Sequence, residues 1–161
     1  MKIAIIGPAG AGKSTLTRYF KSNNSHIIEC DAVIHDAFIN NRVVIEWIRK
    51  TFSDAVFENG IISRKLLGTV VFANAELRTL LEDFLYETVL LPTTSTSTAS
   101  TIIVDGILPR FIDASFDQVI YVYLTEEERI SRLLKRGVSR ERIDEILKVQ
   151  RDIFKPPQHC S

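Results

Sequence analysis

The residues best suited to chemistry come early in the chain. Gly7-Pro8-Ala9-Gly10-Ala11-Gly12-Lys13-Ser14, followed by Thr15, fits the pattern G-x-x-x-x-G-K-[ST]. Glycines let a backbone curl until successive N–H groups point inward, which suits a polyphosphate. Lys13 is then placed to reach the β- and γ-phosphates, and the Ser14 hydroxyl to ligate Mg2+. Gly7 through Thr15 are therefore the candidate residues for binding a nucleoside triphosphate. Further along, two carboxylates and a row of arginines are candidates to act on whatever the loop holds.

The first carboxylate, Asp31, follows the apolar stretch His26 to Cys30 (HIIEC). It suits the cap of a helix over Ala32 to Ile39, and equally a catalytic acid or base, because strand ends on this edge of a sheet face the ligand crevice. The second, Asp105, ends the apolar run Ile102-Ile103-Val104 and precedes Gly106. It fits either a turn-forming Asp-Gly pair or a carboxylate that organises magnesium. Arg129, Arg132 and Arg136 stand three and four residues apart and so share one helix face. Such a row solvates a surface or, in a kinase lid, neutralises charge on a phosphoryl group in transfer. Arg132 and Arg136 are candidates for the second role, whereas Arg140, Arg142 and Arg151 read as surface residues.

These side chains need a scaffold that delivers them to one edge. Lys2 to Ile6 reads as a buried strand, and Leu16 to Phe20 as a helix running until Asn23-Asn24. Val43, Val44, Trp47, Ile48 and Phe52 recur at helical spacing after Asn40-Asn41, with Trp47 a packing aromatic. Asn59-Gly60 is a turn, and Ser63 caps a helix through Val70. The next helix is expected from about Asn74 to Leu91, ended by Pro92, with the Ser/Thr tract Thr93 to Thr101 as a flexible connection. Val119 to Leu124 is a fourth strand whose Tyr121 and Tyr123 pack on one face. Thr125 and Glu128 form a capping box, Gly137 closes that helix, and Ser139 caps a last helix stopped by Lys155-Pro156-Pro157. Strands alternating with helices predict an α/β fold, three-layered and doubly wound on a mostly parallel sheet, of P-loop kinase or NTPase architecture.

Composition narrows the setting. The chain has 161 residues, 45% of them hydrophobic, which is enough for one domain with a full core. Twenty basic and twenty acidic residues cancel, which removes the general case for a nucleic-acid partner. Cys30 and Cys160 are too few for a disulfide framework, and His26, His35 and His159 have no metal-ligand spacing. With no leader-like start and no apolar run of membrane-spanning length, the expectation is a cytoplasmic protein without a membrane partner. The oligomeric state is not legible.

Three further segments resemble the dephospho-coenzyme A kinase family. IIECDAVIHDAF is similar to the family's strand, Asp-x-Asp and helix, with Glu29 at the first acid and Asp31 at the second. NGIISRKLLGTVVFAN resembles its Gly-x-Leu-x-Arg segment, and TEEERISRLLKRGVSRERIDEILKVQ its lid and the helix ending in Gln150. The resemblance covers roughly residues 2–152. It implies phosphorylation of the 3′-hydroxyl of dephospho-coenzyme A by ATP, with Asp31 as the base and Arg64 binding the coenzyme. Arg132 and Arg136 would be lid arginines. Asp31, Arg64 and Asp105 would line the acceptor side, and Ser14 and Asp105 the Mg2+ side. A single domain over 1–161 is expected, with an acceptor-binding helical insertion near 42–91 and a lid near 125–151.

The sequence also departs from that pattern. Tyr86-Glu87 replaces the family's His-Pro pair, and Arg110 stands where the family has a glutamate. The chain stops at Ser161, before the family's Ala-Asp…Ile-x-Asn edge strand, which predicts weaker nucleotide affinity and an open edge on the fourth strand. Another small-metabolite or nucleoside kinase, and a nucleotide-binding remnant without catalysis, are the alternatives.

Overall fold

A computed structural model of the chain describes residues 1–21, 25–96 and 99–154. The chain forms two compact units, one of Met1–Ile28 with Thr98–Ser161 and the other of Glu29–Ser97.

The first unit is built on a sheet. Strand β1 (Lys2–Ile6) lies between β5 (Thr101–Asp105) and β6 (Gln118–Tyr121), and β2 (Ser25–Glu29) is on the far side of β5. β1 runs parallel to both neighbours, with Ile3 opposite Ile103 and Ile5 opposite Asp105 on one side, and Ile6 opposite Tyr121 on the other. Ile3, Ile5, Ile103 and Val104 are almost wholly buried. That is the apolar signature of strands covered on both faces. Parallel neighbours require crossovers, and helix α1 (Lys13–Tyr19) is the first of them. Strand order reverses at β1, so the crevice outside its carboxyl end is where a ligand of such a sheet binds. Helices α7 (Glu126–Lys135) and α8 (Arg140–Ile153) follow β6 and pack through Leu133, Ile143 and Leu147.

The second unit is helical. Helix α2 (Cys30–Asn40) is followed by α3 (Arg42–Phe52), a hairpin of β3 (Phe57–Glu58) and β4 (Ile61–Ile62), then α4 (Arg64–Ala73) and α5 (Ala75–Leu85). Asn59 and Gly60 both have positive φ, 52° and 79°, as a two-residue hairpin turn of this hand requires. The Asn41 side chain accepts from the N–H groups of Val43 and Val44 and starts α3, and Ser63 caps α4 through Leu66 N–H. Val44, Ile48, Val56, Leu67, Leu81 and Leu85 are among the core residues, and Trp47 stacks on Phe84 with ring centroids 3.9 Å apart.

The helix expected to stop at Pro92 does not. After α5 the backbone widens into a π-helical turn, Tyr86–Leu90, and re-enters an α-helix, α6 (Leu91–Ser95). Leu91 N–H reaches back five residues to Tyr86 O, and the wider turn takes up the missing N–H and the bulk of the Pro92 ring. The start of the Ser/Thr tract is correspondingly helical. Thr93 Oγ1 donates to Val89 O, and Thr94 Oγ1 and Ser95 Oγ to Leu91 O, so hydroxyls satisfy carbonyls at the helix end. Thr101 already belongs to β5. Ser97 and Thr98 of the tract, Asn23-Asn24 and Lys155-Pro156-Pro157 lie outside the described residues. β6 ends at Tyr121, short of the expected Leu124, although Val122 N–H still pairs with Ile6 O at 2.8 Å.

Candidate active site

β1 delivers the chain to the sheet's carboxyl edge, where the backbone turns sharply at Gly7. Its φ is +145°, and a Cβ there would lie 2.3 Å from Val122 O, so only glycine lets the loop pass the end of β6. The loop closes on itself through Ala11 N–H to Pro8 O at 3.2 Å. Gly12, with φ +105°, is the N-cap of α1 and supplies no side-chain cap. The first turn of α1 holds no acidic residue of its own to offset the positive end of the helix dipole. Lys13 Nζ bends back over the loop to Gly7 O at 2.9 Å and Pro8 O at 3.4 Å. Ser14 and Thr15, in the first turn of α1, are exposed. Backbone N–H groups, an ammonium and a hydroxyl at the start of a helix are an anion site suited to several linked phosphates.

Asp105 sits at the end of β5 opposite Ile5 and is buried, with 6% of its surface exposed. The Thr17 hydroxyl donates to its Oδ2 at 2.9 Å. Thr17 lies three residues after Ser14, on the same face of α1. Asp105 thus meets α1 through Thr17, one turn beyond the Ser14 hydroxyl. Among the described residues no group of three or more His, Cys, Asp or Glu side chains could hold a metal by itself.

The arginines divide differently from their even spacing. Arg129 is 8% exposed, and its Nε donates to Ala9 O at 2.9 Å. Burial lowers its pKa from the ordinary arginine value, opposed by the Glu126 carboxylate. Arg132 is exposed, yet its Nη1 lies 2.9 Å from where a Cβ on Gly12 would be, so it does reach the loop. Arg136 is the exposed C-cap of α7. Arg140, Arg142 and Arg151 form exposed ion pairs with Asp144, Glu145 and Glu126.

Asp31 and Arg64 belong to the Glu29–Ser97 unit, and both are exposed. The N-cap of α2 is Glu29, so Asp31 is not the cap. It stands in the helix's first turn, where its charge suits the dipole. Arg64 opens α4 directly after the Ser63 cap. Lys13 and Arg132 thus reach the loop itself, and Asp105 meets the helix that follows it through Thr17. Residue spacing had not singled out Thr17 or Arg129 for a contact there. Gln150, which the resemblance marks only as the end of a helix, proves to touch the loop as well, its Oε1 accepting from Ala9 N–H at 2.9 Å. Thr17 carried one signal, since it shares a helix face with Ser14.

Comparison with known proteins agrees with this geometry. A family model described as dephospho-CoA kinase matches residues 1–155. The dephospho-CoA kinase of Aquifex aeolicus is 29% identical over 159 residues, covering 94% of this chain and 81% of the relative. That of Sulfurimonas denitrificans is 28% identical over 158 residues, covering 94% and 78%. Among solved structures, TT1252 from Thermus thermophilus is similar with a TM-score of 0.74 at 26% identity, over 92% of this chain and 79% of that one. A shikimate kinase from Acinetobacter baumannii, at 18% identity and a TM-score of 0.53, shares the fold. The family match runs from the start of β1 past the end of α8, through every element that shapes the loop, and the chain belongs to the dephospho-CoA kinase family.

Proposed function

We propose that this chain transfers the γ-phosphoryl group of ATP to the 3′-hydroxyl of dephospho-coenzyme A, completing coenzyme A. The observation that carries this reading is the Gly7–Ser14 loop, curled at the end of β1 with Lys13 and the start of α1 facing inward, in a chain of this family. The loop amides and Lys13 hold the β- and γ-phosphates, and Arg132 neutralises charge on the transferring group, joined by Arg136 from the end of α7. Asp31 takes the proton as the 3′-oxygen attacks phosphorus in line. The new P–O bond forms as the bond to the β-phosphate oxygen breaks, and ADP leaves. Arg64 binds the acceptor's phosphates from the start of α4. Ser14 and Asp105 would hold Mg2+, which would supply further neutralisation of phosphate charge. Such catalysis consists of positioning and electrostatics.

The cytoplasm is the proposed site of the reaction. No helix among the described residues is long and apolar enough to cross a membrane.

A coupled assay of ADP release, run with and without dephospho-coenzyme A, tests the activity. Release that depends on the acceptor is expected, and release indifferent to it sinks the reading. Asp31→Asn is expected to lower kcat by about a hundredfold or more, the usual worth of a general base, while ATP affinity stays within about twofold. Near-normal turnover in that variant would remove Asp31 from the base role.

A further inference from the structure

A glycine-rich loop is costly to hold still, since fixing each backbone residue costs about 1–2 kcal/mol of conformational entropy and glycine loses more than any other residue. Something must keep this loop curled. The contacts converge on Ala9, in the middle of the loop. Its methyl packs against the cluster of Leu133, Ile143 and Leu147 on α7 and α8. Its N–H donates to Gln150 Oε1 at 2.9 Å, and its carbonyl accepts from Arg129 Nε at 2.9 Å. Arg129 Nη2 in turn donates to the same Gln150 oxygen at 2.9 Å, which closes a ring of three hydrogen bonds around two successive peptide groups. Arg129 is nearly buried, so these bonds form away from competing water. The two helices are also joined beside this ring by Arg151 on Glu126, at 2.7 and 3.2 Å.

We propose that α7 and α8 form a clamp that holds the phosphate loop in its nucleotide-accepting curl, with Arg129 and Gln150 as positioning residues that act through Ala9. Neither residue needs to touch phosphate. Both set the direction of the amides that do, and α7 carries Arg132 on the same rigid body, so the loop and that arginine stay in register. The clamp rests on the reading of the loop as the ATP site.

Titration calorimetry of Mg·ATP on the wild-type protein, Gln150→Ala and Gln150→Met tests it, beside amide exchange at Ala9 measured without nucleotide. Methionine fills the volume of Gln150 but offers no oxygen, so it carries the test even if the alanine variant folds poorly. Both variants are expected to weaken ATP binding by about tenfold, the equivalent of one good hydrogen bond. Exchange at Ala9 should quicken by a similar factor. Gln150→Glu keeps an acceptor oxygen at the same reach and is expected to restore slow exchange. Arg129→Lys keeps the charge but loses the fork that reaches two acceptors, and should behave like Gln150→Met. Arg151→Ala cuts only the ion pair beside the ring and should leave ATP affinity within about twofold, since an exposed ion pair contributes about 0–1 kcal/mol. Wild-type protein that binds no ATP would overturn the reading of the site and the clamp with it. Normal ATP binding by Gln150→Met, or unchanged exchange at Ala9, would overturn the clamp alone.

Discussion

Lys13 lies across the loop it serves, its ammonium on the Gly7 and Pro8 carbonyls. A cation already held at the loop's mouth need not be recruited when charge builds on the γ-phosphate. Lys13→Ala should therefore lower kcat/KM by about a hundredfold or more, as removal of one preorganised donor does elsewhere, without unfolding the protein. Steady-state kinetics with a thermal melt would show it. Tyr121 presents the opposite situation. Its hydroxyl is buried with no hydrogen-bond partner among the described residues. Burial raises its pKa from the ordinary 10.0, opposed by the nearby Arg129 cation. A phenol whose folded pKa is raised contributes stability that is whole below its unfolded pKa and is lost as pH rises through the folded value. Tyr121→Phe should thus be neutral or stabilising by up to about 1 kcal/mol near neutral pH, because no bond is given up. It should also flatten the loss of stability above about pH 10, the unfolded tyrosine value, in melts from pH 8 to 11.

Among the elements, the caps were the most legible feature. Thr125 and Glu128 form the reciprocal capping box their spacing predicts, and Ser139 and Ser63 cap the helices they precede. Asn41 accepts from two first-turn N–H groups of an eleven-residue helix that supplies Val44, Ile48 and Phe52 to the core. Asn41→Ala should then cost about 1 kcal/mol, measured as a lower urea midpoint with an unchanged slope. An unchanged midpoint would mean that core packing alone sets the start of α3. Caps are readable because they are local, a side chain meeting a backbone group a few residues away. The path through Pro92 was not readable for the same reason. A π-helical turn that absorbs a proline depends on Val89 and Leu90 being buried in the unit, which is tertiary information. The site divides along the same line. The loop, Lys13 and Ser14 are contiguous and were legible from the motif, whereas Arg129 reaches Ala9 across 120 residues and Gln150 across 141. No local pattern distinguishes a buried arginine from the exposed ones at helical spacing beside it.

At the scale of the whole molecule, the loop, Asp105, α7 and α8 all belong to the unit formed by the two ends of the chain, while Glu29–Ser97 has its own helical core. A ligand that binds only the folded state stabilises it by mass action, by about 2.7 kcal/mol at a hundred times its dissociation constant. For a chain of this size each kcal/mol moves the melting midpoint by about 2–4 °C. Saturating Mg·ATP should therefore raise the midpoint by roughly 5–10 °C, with the shift growing as the logarithm of ATP concentration. The effect should be carried by the unit that contains the loop, so hydrogen exchange should slow in β1, α1 and α7 on adding ATP. Lys13→Ala should abolish most of the shift, while Tyr121→Phe should keep it, because Tyr121 is not assigned a contact with nucleotide. A midpoint that does not respond to ATP, in protein shown to be folded by its near-ultraviolet circular dichroism, would mean that the curled loop is a structural turn and not a nucleotide site.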